Sequence, residues 1–144
     1  MTSLNWGLFG ISPNQFPQCN PCRGKVVIAG GARCVWEDLR QIGGDFDLIT
    51  VNDVTMHVPF YVKHAYSNDH IMLPHWINAR RPRLNRGIQA HTCQCGDMKV
   101  WPWPGHGSSS LNAVYTALAL GYDEIILAGI PLDNSGHYFD PPGS

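Results

Sequence analysis

The segment GSSSLNAVYTALALGYDEIILAGIPLD, Gly107 to Asp133, constrains the fold more than any other, because it joins a hydroxyl-rich helix start, an amphipathic helix and a buried strand without a break. Leu111, Val114, Tyr115 and Leu118 recur at helical spacing, Ala113, Ala117 and Ala119 favour the helix, and Gly121 stands where a left-handed C-terminal residue is wanted. The pattern predicts an amphipathic helix from about Ser110 to Leu120. Glu124 to Ile130, EIILAGI, is a short apolar run without alternation, as expected of a parallel strand covered on both faces. Ser108, Ser109 and Ser110 suit a helix N-cap, and the first-turn amides with the helix dipole favour an anion such as phosphate at that end. A single serine that only caps the helix gives the same pattern.

A second unit lies near the N-terminus. Lys25 to Gly30, KVVIAG, reads as a strand, Gly30 and Gly31 as a sharp turn at its carboxyl end, and Val35 to Ile42 as a helix. Ala32 and Cys34 break the G-x-G-x-x-G spacing of a dinucleotide fingerprint. Phe46 to Asn52 and Tyr61 to Asp69 predict two further strands, which sets Asn52 and Asn68 at strand carboxyl ends. Side-chain amides there can address a base, ribose or phosphate, or serve turn geometry alone. Met98 to Trp101 completes a five-stranded reading. The expected fold is α/β: a single Rossmann-like doubly wound domain over residues 1–144, with a mainly parallel sheet of about five strands in the order 3-2-1-4-5. The expected division is an N-terminal arm over residues 1–24, carrying the CxxC pair, and a flexible tail over 141–144.

The stretches VVIAGGARCVWEDL, FDLITVN, YSND and SSLNAVYTALALGYDEIILAGIPLDNSGHYFD resemble, in order and spacing, the nucleotide-binding half of the bacterial sialyltransferases that use CMP-sialic acid. The resemblance implies a glycosyltransferase-like protein that binds a nucleotide-activated sugar and transfers the sugar to a hydroxyl acceptor, without a catalytic cofactor. It implies that Asn52 and Asn68 contact the CMP portion or the reacting region, and that Ser109 stands at the nucleotide-binding helix start. Gly31 falls where the family has an asparagine, and Pro131 where it has an aspartate. The family's general base is a histidine well downstream of the Phe139–Asp140 pair, and residue 144 is the last of this sequence.

His106, in the loop WPWPGHG, and His137 are therefore the candidate bases, since a neutral imidazole can deprotonate a hydroxyl near neutral pH. With seven histidines in the chain, a loop histidine on the ligand rim also arises by chance. Trp101 and Trp103, spaced by prolines, suit either an aromatic wall for a base or sugar or the edge of a core. A non-catalytic nucleotide-binding or nucleotide-sequestering module on the same fold is the competing class. A pyrophosphokinase-like enzyme acting on a pterin is a third; it needs magnesium carboxylates, for which Asp69, Asp133 and Asp140 are the candidates.

Cys19-Asn-Pro-Cys22 and Cys93-Gln-Cys95 bring four thiols at spacings that suit a structural zinc, with His91 as a substitute ligand, provided the strands that follow them are neighbours. Free cytosolic thiols are the alternative. Cys34, in the glycine turn, stands apart from that set. A formal charge of -1 gives no general attraction to nucleic acid. Arg80, Arg81, Arg83 and Arg86 are the one basic concentration and read as a solvated loop. No apolar run approaches the roughly 20 residues that span a bilayer, and no signal segment opens the chain, so a cytoplasmic protein is expected, with homo-oligomerisation open.

Overall fold

The computed structural model describes residues 4–80, 86–105 and 107–131. Six strands, β1 (Lys25–Ala29), β2 (Asp47–Val51), β3 (His64–Tyr66), β4 (Gln89–Thr92), β5 (Lys99–Val100) and β6 (Glu124–Ala128), form one sheet in the order β5-β4-β3-β2-β1-β6. Every neighbouring pair is parallel. Three α-helices accompany them: α1 (Val35–Gln41), α2 (Met72–Asn78) and α3 (Ser109–Leu120). The α/β, Rossmann-like expectation holds, with six strands instead of five.

The expected order does not. The Lys99–Val100 strand lies at the far edge beside β4, and β6 takes the place next to β1 that was assigned to it. Gln89–Thr92 supplies the missing strand; its sequence, QAHT, lacks the apolar run by which the others are recognised. The chain therefore winds outward from β1 to β5 and then returns through α3 to the opposite side of β1, so the reversal falls between β1 and β6.

Central strands β1 and β2 bury four of five residues each, as the unalternating sequences require of strands covered on two faces. On one face α1 and the turn after β2 enclose Val27, Ala29, Val35, Leu39, Leu48, Val54 and Val62. On the other, α3 and the N-terminal arm enclose Val26, Ile28, Ile49, Val51, Tyr66, Trp101 and Trp103. The two tryptophans stack with planes 4° apart, and Trp6 and Phe16 of the arm pack against them. Trp101 and Trp103 are thus core residues, 3% and 4% exposed, and no wall toward solvent.

Helix α3 is turned relative to its sequence pattern. Its buried residues are Asn112, Ala113, Thr116, Ala117 and Leu120, while Leu111 and Leu118 are 49% and 39% exposed and Val114 and Tyr115 half-buried. The small face wins because Ala113 and Ala117 let the helix approach β1 and β2 closely, and because Asn112 and Thr116 find internal hydrogen bonds there. Likewise β6 is an edge strand whose faces are only partly covered: Ile125 packs against the α3-side core and Ile126 and Ala128 against the α1-side core, while Leu127 is 46% exposed.

Arg80 also departs from expectation. It is 4% exposed and its guanidinium donates to the carbonyls of Thr55, Val58 and Phe60 at 2.6, 2.9 and 2.7 Å, tying the end of α2 to the turn after β2. Burial lowers its pKa from the ordinary value. Arg86 is exposed, and Arg81 and Arg83 lie outside the described residues.

Candidate functional site

Because all strands are parallel, their carboxyl ends share one rim, where ligands of open α/β sheets bind. Asn52 follows β2 and adopts a left-handed backbone, φ 59°, the one such non-glycine residue among those described. Asparagine tolerates this conformation better than most residues, and such a residue at a strand end marks a position worth functional attention. Its Oδ1 accepts from Ser67 Oγ at 2.6 Å, and Ser67 Oγ in turn accepts from the Asp69 amide at 2.9 Å. Asp69 Oδ1 accepts from the Met72 amide at 3.0 Å, at the start of α2.

Asn68 joins this rim to α3. Its backbone N–H donates to Ser109 Oγ at 3.0 Å, and its Nδ2 donates to Gly107 O at 2.8 Å. Its Oδ1 accepts from Tyr66 Oη at 2.8 Å, Asn112 Nδ2 at 3.0 Å and Cys93 Sγ at 3.2 Å. Burial raises the Tyr66 pKa far above its ordinary value, with Cys93 adding to the effect, so this phenol is a fixed donor. Three elements, β3, β4 and α3, are thereby locked at one side chain. Ser108 accepts from Leu111 N at 3.4 Å and caps α3, as the sequence predicts. Ser109 and Ser110 are half-buried beside it, and with the Leu111 amide taken by Ser108 Oγ, the amides of Ser109 and Ser110 are the first-turn donors without an intrahelical acceptor. Asn52, Asn68 and Ser109 thus share one rim, with a direct hydrogen bond between the last two.

Gly30 and Gly31 lie farther along that rim, at the β1–β6 reversal. A side chain on Gly30 would lie 2.6 Å from Ile130 Cγ1 and 2.9 Å from Gly129 O. At Gly129, with φ 66°, a side chain would likewise lie 2.5 Å from Val35 Cβ and 2.6 Å from Gly30 O. These two glycines serve close approach of the first turn to the end of β6, a need internal to the fold.

The cysteine pairs do not converge. Cys22 precedes β1, donates its N–H to Leu120 O and approaches His64 at the start of β3, all at the amino side. Cys93 and Cys95 follow β4 on the carboxyl rim, Cys93 against Asn68 and Cys95 against His70. The expectation fails because β5, and not the strand beside β1, follows Cys93 and Cys95. No group of three or more metal-ligating side chains occurs among the described residues. Cys19 lines a cavity of about 230 Å³ with Cys22, Phe16 and Trp101, and burial raises its thiol pKa. Cys34 immediately precedes α1.

Sequence reasoning missed a buried polar chain on the α3 face. Trp101 Nε1 donates to His91 Nδ1 at 3.0 Å, His91 Nε2 meets His64 Nδ1 at 2.9 Å, His64 Nε2 meets Tyr122 Oη at 3.1 Å, and Tyr122 Oη donates to Asp47 Oδ2 at 2.7 Å. Lys63 closes the chain on Asp47 at 3.2 Å. His91, read as a substitute zinc ligand, is instead committed at both nitrogens. Two histidines inside the strand sequences HAY and QAHT are the available signal: β3 and β4 pair with His64 opposite Gln89 and Tyr66 opposite His91, so the imidazoles lie on one face as diagonal neighbours.

His106 and His137, together with Asp133 and Asp140, lie outside the described residues. No family model matches the chain, and neither curated proteins nor solved structures give a match. The class the fold defines is therefore α/β, Rossmann-like, with a polar carboxyl-end rim. No helix among the described residues is long and apolar enough to cross a membrane.

Proposed function

We propose that the protein binds a nucleotide or nucleotide-activated sugar at the carboxyl rim of β2 and β3, of the CMP-sugar type, and transfers the sugar to a hydroxyl acceptor. The observation that carries this reading is the Asn68–Ser109 hydrogen bond, which holds the start of a twelve-residue helix against the end of a central strand, beside the left-handed Asn52. A phosphate at the α3 start would meet first-turn amides and the positive end of the helix dipole. Ser109 Oγ, while accepting from Asn68, keeps its proton to donate. Ser108 and Ser110 flank it, and Gly30 and Gly31 border the rim toward β6. His106 or His137 would serve as the base.

The non-catalytic binding module is favoured by a different observation. The Asn68 side chain already spends its oxygen on three internal donors and one amide proton on Gly107, so it holds the rim together more than it reaches outward.

A thermal-shift panel of CMP, CDP, UDP, GDP, ATP and CMP-sialic acid tests the binding claim, since a ligand that binds only the folded state must raise its stability. Selective stabilisation by cytidine nucleotides, lost in Ser109→Ala, is expected. A flat panel at millimolar ligand refutes it. Release of free sugar from CMP-sialic acid then separates transferase from module.

A further inference from the structure

The carboxyl rim carries a second arrangement that nucleotide binding does not use. Cys95 Sγ lies 3.3 Å from His70 Nε2, at hydrogen-bonding distance for a thiol and an imidazole. Cys95 is exposed and His70 half-buried, so the pair is open to a reagent. The two residues come from different loops, His70 from the one after β3 and Cys95 from the one after β4, and parallel pairing of those strands brings the loops together. Gly96, with φ 122°, turns the chain immediately beyond the thiol, in a backbone region that other residues rarely adopt. A second thiol, Cys93, stands two residues earlier on the same loop, held by Asn68 Oδ1 and approached by Gln94 Nε2 at 3.8 Å. Asp69 and Asp97 are the neighbouring acidic residues in sequence; Asp69 is engaged at the start of α2.

A nucleophilic thiol needs a base within reach of its proton and an exposed sulfur, and this pair has both. We infer that Cys95 and His70 form a thiol–imidazole nucleophile for thiol–disulfide exchange with low-molecular-weight disulfides, with Cys93 as the second thiol. In the first step His70 Nε2 takes the Cys95 proton while Sγ attacks one sulfur of the substrate. The substrate S–S bond breaks, a mixed disulfide forms on Cys95, and the leaving thiolate receives the proton from His70. Cys93 then attacks the Cys95 sulfur and expels the second thiol, its own proton passing to that leaving group. One substrate disulfide is reduced to two thiols, and the Cys93–Cys95 pair is oxidised by two electrons. The nucleophile does not rest on the nucleotide reading, although the second thiol, Cys93, donates to Asn68 Oδ1 on the same rim.

The test exposes the full chain to oxidised glutathione at neutral pH and follows each cysteine by peptide mass mapping. Cys95 should react first, and Cys93→Ser should trap the glutathione adduct on Cys95, whereas the unmodified chain should lose two thiols and retain no adduct. His70→Gln and His70→Phe should each slow the Cys95 reaction about tenfold, while labelling of Cys34 by iodoacetamide keeps its rate and so reports an intact fold. Equal Cys95 rates with and without the imidazole, or first reaction at Cys19, Cys22 or Cys34, would overturn the inference.

Discussion

The indole of Trp101 donates to Nδ1 of His91, and this one bond sets the direction of every proton in the chain behind it. An indole nitrogen can only donate, so His91 Nδ1 is an acceptor and His91 carries its proton on Nε2. That proton goes to His64 Nδ1, which places the His64 proton on Nε2 toward Tyr122, and Tyr122 donates to Asp47. Both imidazoles are neutral Nε2–H tautomers. Nitrogen-15 spectra should show both in that form, and Trp101→Phe, which orphans a buried acceptor, should cost about 1–3 kcal/mol.

Acid should act on the same chain. Burial, with Lys63 adding to it, lowers the His64 pKa from its ordinary 6.5 to about 4, and burial with His64 and Lys99 lowers His91 to about 3. The unfolded chain therefore binds these protons first as pH falls. The stability they contribute is complete above about pH 6.5, declines below it, and is lost as pH passes through about 4 and then 3. Urea unfolding between pH 7 and 4 should show stability decreasing by up to about 1.4 kcal/mol per pH unit for each histidine. A double His64→Phe, His91→Phe variant should flatten that dependence; a wild-type curve already flat over this range would contradict the account.

The two faces of α3 should respond oppositely to substitution. Leu118→Gln, on the outward face, should change stability by less than about 0.5 kcal/mol, whereas Ala117→Leu, against β1 and β2, should destabilise by about 1–3 kcal/mol through overpacking. Chemical denaturation midpoints of the two variants check the order.

Gly129→Ala should be costly although it adds one methyl group. The residue has φ 66°, and the new carbon would lie 2.5 Å from Val35 Cβ and 2.6 Å from Gly30 O. A loss of about 2 kcal/mol or more is expected in thermal or urea unfolding. Gly10→Ala, also left-handed but with nothing near it, should lose less.

Much of the fold was legible in the sequence. The strands at Lys25, Asp47 and Glu124, the helix at Val35 and the Ser108 and Gly121 caps announce themselves through local apolar runs and terminal residue types. The strand order was not, because QAHT carries no such run and its omission moved Lys99–Val100 to the wrong side of β1. The same error assembled four cysteines that the sheet keeps at opposite ends. The helix face was misjudged because period 3.6 identifies a stripe, not its direction, and here buried Asn112 and Thr116 outweigh Leu111 and Leu118. Of the candidate site, Asn52, Asn68 and Ser109 were readable as strand-end and helix-start residues; their joining through Ser67, Tyr66 and Asn112 depends on long-range packing that no local pattern encodes.

The most direct test of nucleotide binding is an amide chemical-shift titration with CMP, read in the wild-type chain and in Ser109→Ala. Saturable shifts concentrated at Asn52, Asn68 and residues 109–111, and weakened in the variant, are predicted. Unmoved rim amides at millimolar CMP, or equal shifts in the variant, would contradict the assignment of this rim as the nucleotide site.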